Sequence, residues 1–126
     1  MSTLTLTGAA FADLIHQNDI VLVDFWAAWC GPCRRFAPVF ENASEQHPDV
    51  VFAKVDTEAE HQLAAQAGIT SIPTLMAFRE GVLLYSEAGA VPAAALEEII
   101  GAIKTLDMDE VRREISQEHE PTATRS

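Results

Sequence analysis

The sequence predicts an α/β fold, and three observations carry the prediction. Segments of strand length alternate with longer segments whose apolar residues recur at helical spacing, in the order β-α-β-α-β-α-β-β-α. Ile20 to Ala27 is apolar on both faces, the pattern of a central strand covered by helices on each side. The last two strands are separated only by Arg79-Glu80-Gly81, which reads as a hairpin turn.

Thr3-Leu4-Thr5-Leu6 alternates as a short strand, and Thr7 can cap a helix carrying Phe11, Leu14 and Ile15. Asn18-Asp19 turns the chain into the central strand. The next helix places Phe36, Phe40 and Ala43 on its inner face, and Pro38 interrupts its hydrogen bonds. His47-Pro48-Asp49 ends it before the strand Val50 to Asp56. Thr57 to Glu60 has capping-box spacing, so a helix is expected from there through Leu63, Ala64 and Ala67, with Gly68 as its terminator. Strands follow over Leu75 to Phe78 and Val82 to Tyr85. The final helix carries Leu96, Ile99, Ile100 and Ile103 on one stripe. Beyond Leu106, Met108, Val111 and Ile115 keep only a weak helical period, and Gln117 to Ser126 is polar. Residues 1–106 therefore read as one domain, and residues 107–126 as an acidic, polar extension, partly helical and then disordered.

A chain of 126 residues with 48% hydrophobic content suits a single domain with its own core. Its start, Met1-Ser2-Thr3-Leu4, lacks a basic leader region, and the longest aliphatic run, Ile20 to Val23, is far too short to span a bilayer. The expectation is a cytoplasmic protein, neither exported nor membrane-bound. A net charge of −11 without a basic stripe speaks against nucleic acid or an anionic membrane as partner. His16, His47, His61 and His119 are scattered, one C-x-x-C is half a zinc site, and there is neither a G-x-G-x-x-G nor a G-x-x-x-x-G-K. No metal, bound nicotinamide or nucleoside triphosphate is expected.

The chemistry concentrates where the central strand ends, at Trp29-Cys30-Gly31-Pro32-Cys33. Cys30 and Cys33 are the only cysteines, and in the first turn of a helix they lie close enough to form a small, reversible disulfide ring. In a reducing compartment such a pair argues for catalysis over structure. Gly31 allows a tight strand-to-helix turn, and Pro32 suits an early helical position that needs no N–H. The unpaired N–H groups and dipole of the helix favour a Cys30 thiolate. Cys33, deeper in the turn, is expected to be more buried. Cys30 would then attack a target disulfide and Cys33 would resolve the mixed disulfide.

Asp24 is the one acid in the central strand. Burial would raise its pKa, which makes it either a proton carrier at neutral pH or an acid hydrogen-bonded for stability alone. Trp26, within the strand, reads as a core aromatic. Trp29, in the loop beside Cys30, reads as part of an apolar docking surface with Gly31, Pro32, Ile72, Pro73 and Gly89. Arg34 and Arg35 read as surface residues.

The Trp-Cys-Gly-Pro-Cys signature, with the order of elements over roughly Leu4 to Leu106, resembles the thioredoxin family. The resemblance implies a five-stranded mixed sheet flanked by four helices, and a monomer that reduces protein disulfides. It implies that Asp24 deprotonates Cys33, with Lys54 near that acid, though by itself Lys54 also reads as a lysine reaching to solvent, and that Pro73 follows a cis peptide bond facing the cysteines. Ile72 and Thr74, with the small patch Gly89-Ala90, would then face substrate. No cofactor would be bound: electrons would come from NADPH through a separate flavoprotein, thioredoxin reductase. Ala67 and Ala88 depart from the family, which usually has an aromatic and a larger aliphatic residue there. An oxidase or isomerase of the same fold, or a binding module whose thiols are idle, are the other readings.

Overall fold

The computed structural model describes residues 2–118. Five strands, β1 (Thr3–Thr5), β2 (Ile20–Trp26), β3 (Val51–Asp56), β4 (Thr74–Arg79) and β5 (Val82–Ala88), form one mixed sheet in the order β1-β3-β2-β4-β5. The pairs β1–β3 and β2–β3 are parallel, whereas β2–β4 and β4–β5 are antiparallel. The helices are α1 (Gly8–Gln17), α2 (Gly31–Gln46), α3 (His61–Gln66), α4 (Ala93–Thr105) and α5 (Met108–Glu118).

β2 is the central strand, and its residues alternate between two cores. Ile20 and Leu22 face Phe36 and Phe40 of α2 and Leu96 and Ile100 of α4. Val21, Val23 and Phe25 face the opposite way, toward Ile15 of α1 and Leu63 of α3. Apolar side chains on both faces thus follow from burial on both faces. The Phe40 ring packs on Phe36 and Phe52, with centroids 5.7 and 5.1 Å apart, and ties α2 to the sheet across Pro38, which lies inside the helix.

Among the described residues, five helices stand where four were expected. The fifth is the helical part expected of the extension after Leu106, and it is well started: the Asp107 carboxylate accepts the N–H groups of Asp109 and Glu110, Met108 is buried, and Arg112 pairs with Asp109 and Glu80. The disorder expected from Gln117 onward lies outside the described residues except at its first two positions, which end α5.

Two expected caps are built differently. Thr7 occupies the N-cap of α1 without a side-chain bond, and the Gly8 N–H donates to Glu60 Oε1 at 2.8 Å instead. Thr57 to Glu60 does not open α3. The Asp56 carboxylate accepts the Glu58 N–H, the Asp56 carbonyl accepts the N–H groups of Ala59 and Glu60, and the Thr57 hydroxyl donates to the Trp26 carbonyl. Asp56 out-competes the capping box because its carboxylate is already in place at the end of β3. Gly68, at φ 72°, does end α3: its N–H reaches the Ala65 carbonyl and that of Ile69 the Ala64 carbonyl, which sends the chain back toward the cysteines.

Phe40→Ala is expected to lower stability by about 3–5 kcal/mol, because a fully buried ring is replaced by a cavity. Leu83→Ala, at a half-exposed site on β5, should stay within about 0.5 kcal/mol. Urea midpoints of the two variants test this contrast.

Candidate active site

The end of β2 and the start of α2 build the site. The Cys30 N–H donates to the Ala27 carbonyl, and Cys30 caps α2 in an extended conformation, with its sulfur accepting the Cys33 N–H at 3.2 Å. Pro32 sits in the first turn, where no N–H is required. Gly31 is the first helical residue and has no positive φ; a Cβ there would meet only Arg35 Nη1, at 3.8 Å. The Arg34 guanidinium closes the loop by donating to the Ala28 carbonyl at 2.7 Å.

Cys30 and Cys33 are joined as a disulfide, with Cα atoms 5.2 Å apart. Both are 3% exposed, so Cys33 is not the more buried of the two. Cys30 is shielded because the Ile72 carbonyl oxygen lies 3.7 Å from its sulfur and Trp26 and Ile72 pack against the pair. Trp29 is the exposed member, at 67%, with its indole N–H directed to Glu58 Oε2 at 3.4 Å.

Asp24 is completely buried, and neither carboxylate oxygen has a hydrogen-bond partner among the described residues. Desolvation pushes its pKa up to about 7, with the positive charge of Lys54 pulling the other way. Lys54 stands opposite Asp24 in the β2–β3 register, yet its ammonium lies over the Trp26 ring, 5.0 Å from the centroid.

The Ile72–Pro73 peptide is cis, and the Pro73 carbonyl accepts the Gly89 N–H at 2.8 Å, which brings the exposed Gly89 and Ala90 alongside. Thr74 is different. It is 6% exposed, its hydroxyl donates to the Ser71 carbonyl and its backbone pairs with Ala88, so its side chain presents nothing to a ligand.

A groove of about 410 Å³ opens beside Cys30. Trp29, Cys30, Gly31, Pro32 and Ile72 line it with Thr70 and Ser71, which the sequence puts in the loop leading to Pro73, and with Thr57, Ala64 and Ile69, which sequence reasoning did not bring to the site. The signal available for Ile69 was Gly68, whose left-handed turn ends α3 just before it. Gly89 and Ala90 lie off this groove. Among the described residues, no three His, Cys, Asp or Glu side chains converge as metal ligands, and no helix is long and apolar enough to cross a membrane.

Comparisons with known proteins agree on one family. The family model described as Thioredoxin matches residues 2–102. The chain is 52% identical over 117 residues to a protein named "Putative thioredoxin 2" from Streptomyces coelicolor, covering 93% of this chain and 87% of that one. It is 46% identical over 97 residues to a thioredoxin of Alicyclobacillus acidocaldarius, covering 76% and 92%. Among solved structures, a mutant thioredoxin from Halobacterium salinarum superposes with a TM-score of 0.78 at 34% identity, covering 84% of this chain and 94% of that one.

The raised pKa of Asp24 has a consequence for stability. The carboxyl binds its proton more tightly folded than unfolded, so no penalty exists below the unfolded value of 3.8, stability falls as pH rises from there to about 7, and the loss is complete above. The full loss is on the order of 4 kcal/mol. Asp24→Asn should remove this slope and be the more stable protein at pH 8. Urea denaturation of the two oxidised proteins at pH 5 and pH 8 reads the difference.

Proposed function

Because the chain belongs to the thioredoxin family and carries its Cys-Gly-Pro-Cys pair, we propose that it reduces disulfides of cytosolic proteins through Cys30 and Cys33. The protein is a thiol-disulfide oxidoreductase of the protein-disulfide reductase type; the assignment of steps to residues is our reading. The observation that carries it is the hydrogen bond from the Cys33 N–H to the Cys30 sulfur at the N-terminus of α2. A helix N-terminus aimed at sulfur stabilises the thiolate that exchange requires.

In the reduced protein, the Cys30 thiolate attacks one sulfur of the target disulfide. The target S–S bond breaks, a bond from Cys30 to the target forms, and the other target sulfur leaves as a thiolate and takes a proton from solvent. The Asp24 carboxylate accepts the thiol proton of Cys33. The Cys33 thiolate then attacks Cys30, the Cys30–target bond breaks, and the second target sulfur leaves. Two electrons have passed to the target and the Cys30–Cys33 disulfide remains. A carboxyl that titrates at about 7 suits this task, since at neutral pH it can both take and return a proton.

Recognition is assigned to the surface around Cys30. The backbone of Ile72, whose carbonyl lies beside the sulfur, is placed to pair with an extended target peptide. Trp29, Pro32 and Ile72 would give the peptide an apolar seat, with Pro73, Gly89 and Ala90 on its other side. Thr74 is assigned a supporting role beneath them, in keeping with its burial. The oxidised protein, acting as a cytoplasmic monomer, would be returned to the dithiol by an NADPH-dependent flavoprotein, thioredoxin reductase. We assign residues 1–106 as the redox domain, on the ground that the family match ends at residue 102 and α4 at Thr105, with residues 107–126 as an appendage.

Two measurements test the reading. The reduction potential of the pair should fall near the thioredoxin reference value of about −270 mV; one of about −120 mV, about 7 kcal/mol away for two electrons, identifies a disulfide donor instead. With a disulfide-containing protein, Cys33→Ser should accumulate a mixed disulfide through Cys30, and Cys30→Ser should accumulate none. Equal trapping by both variants rules out the division of labour.

A further inference from the structure

This inference rests on the proton-carrier role assigned to Asp24 and concerns what leaves that carboxyl unpaired. The register puts Lys54 directly opposite Asp24, and facing residues on adjacent strands project to the same side of the sheet. An ion pair is what this placement favours. It is not made: the Asp24 oxygens have no partner among the described residues, and the Lys54 ammonium lies over the indole of Trp26. Trp26 is two residues further along β2 and so on the same side as Asp24. It is itself fixed, because it packs against the cluster of Ala27, Cys30 and Cys33 while its carbonyl accepts both the N–H and the hydroxyl of Thr57.

The other groups around this pair do not explain the arrangement. On β3, Asp56 stands opposite Trp26 and spends its carboxylate on the Glu58 N–H. On α2, Glu41 feels the Lys54 charge but is bound by the Ser2 N–H and the Thr3 hydroxyl. On β4, Leu75 faces Asp24, and α4 contributes the apolar Leu96 to this side of the sheet. The cysteine pair at the start of α2, against which Trp26 packs, is oxidised.

We propose that Trp26 is a positioning residue of the resolving step: its indole face holds the Lys54 ammonium off Asp24 and leaves that carboxyl without an ion-pair partner. Tryptophan is the strongest aromatic seat for an ammonium, and the half-buried lysine keeps part of its hydration there, which pairing with a fully buried carboxylate would strip away. A carboxylate paired with lysine would stay ionised to lower pH and be a weaker base toward Cys33.

The test is the titration of the Asp24 carboxyl carbon by NMR in the oxidised protein, with no target present, alongside the pH profile of mixed-disulfide resolution. Trp26→Leu should let Lys54 reach Asp24 and lower the carboxyl pKa by about 1–3 units, and Trp26→Phe, with a weaker seat, should lower it less. In a Lys54→Met background the same substitutions should leave the Asp24 titration unmoved. No shift, or a shift that persists without Lys54, overturns the inference and leaves the reductase reading standing. Should Trp26→Leu not fold, Trp26→Phe in the two backgrounds decides the same question. A Lys54-dependent shift in the titration without a matching displacement of the resolution profile overturns the proton-carrier role of Asp24, and the part of Trp26 in that step with it.

Discussion

The rest of the structure depends on a strand that is covered on both faces and still carries a carboxylic acid. β2 is the only described strand with an antiparallel and a parallel neighbour, and six of its seven residues are buried. Burial holds the strand in place and delivers the cysteine loop from its end to the start of α2. The same burial strips Asp24 of water without offering it a hydrogen bond from the described residues. An uncharged side chain would suit this position better for folding, so the acid opposes stability at neutral pH. That cost is offset by the apolar contacts of the two cores, among which the Phe36, Phe40 and Phe52 rings anchor α2 to the sheet. Stability and the reactive pair thus meet in one helix: its apolar face binds it to β3, and at its N-terminus the Cys30 sulfur accepts the Cys33 N–H.

The two ends of the sheet divide the work. β4 runs antiparallel to β2, so Thr74 lies near the cysteines and Arg79 at the far end, opposite Ile20. Pro73 enters β4 beside the disulfide, and the hairpin at Glu80-Gly81, both with positive φ, closes the other end. There the Arg79 guanidinium donates to the carbonyls of Ile103, Lys104 and Leu106, which closes the C-terminus of α4, and Glu80 pairs with Arg112 of α5. The turn of the β4–β5 hairpin therefore holds the C-terminus of α4 and the start of α5 at the end of the sheet opposite Pro73.

The architecture was legible because its signals are periodic or local. The doubly apolar run of β2, the stripe Leu96, Ile99, Ile100 and Ile103, and the turn residues Gly68 and Gly81 each follow from burial or from a required backbone conformation. The cysteine pair was legible because its spacing in a helix start is itself chemistry. What the sequence concealed were competitions. Asp56 took the turn that Thr57 was expected to open, and Glu60 supplied the bond that Thr7 withheld. One wall of the groove was hidden for a related reason. Thr57, Ala64 and Ile69 have no distinctive chemistry: Thr57 is brought in by its bonds to the Trp26 carbonyl, and Ile69 by the turn at Gly68.

Lys54 is the sharpest instance of such a competition, and it bears on how the site works. Sequence order places a lysine and an acid on paired strands, and proximity alone would make them an ion pair. The outcome turns on a third side chain, Trp26, because an ammonium over an indole retains more of its water than one driven into the sheet. Its effect on Asp24 is then a field acting at a distance, which moderates the desolvation without cancelling it, and the carboxyl titrates at about 7. A direct pair would give a steadier fold and a poorer base. The residue that read as a plain core aromatic thus joins the disulfide cluster it packs against to the charge that tunes the buried acid.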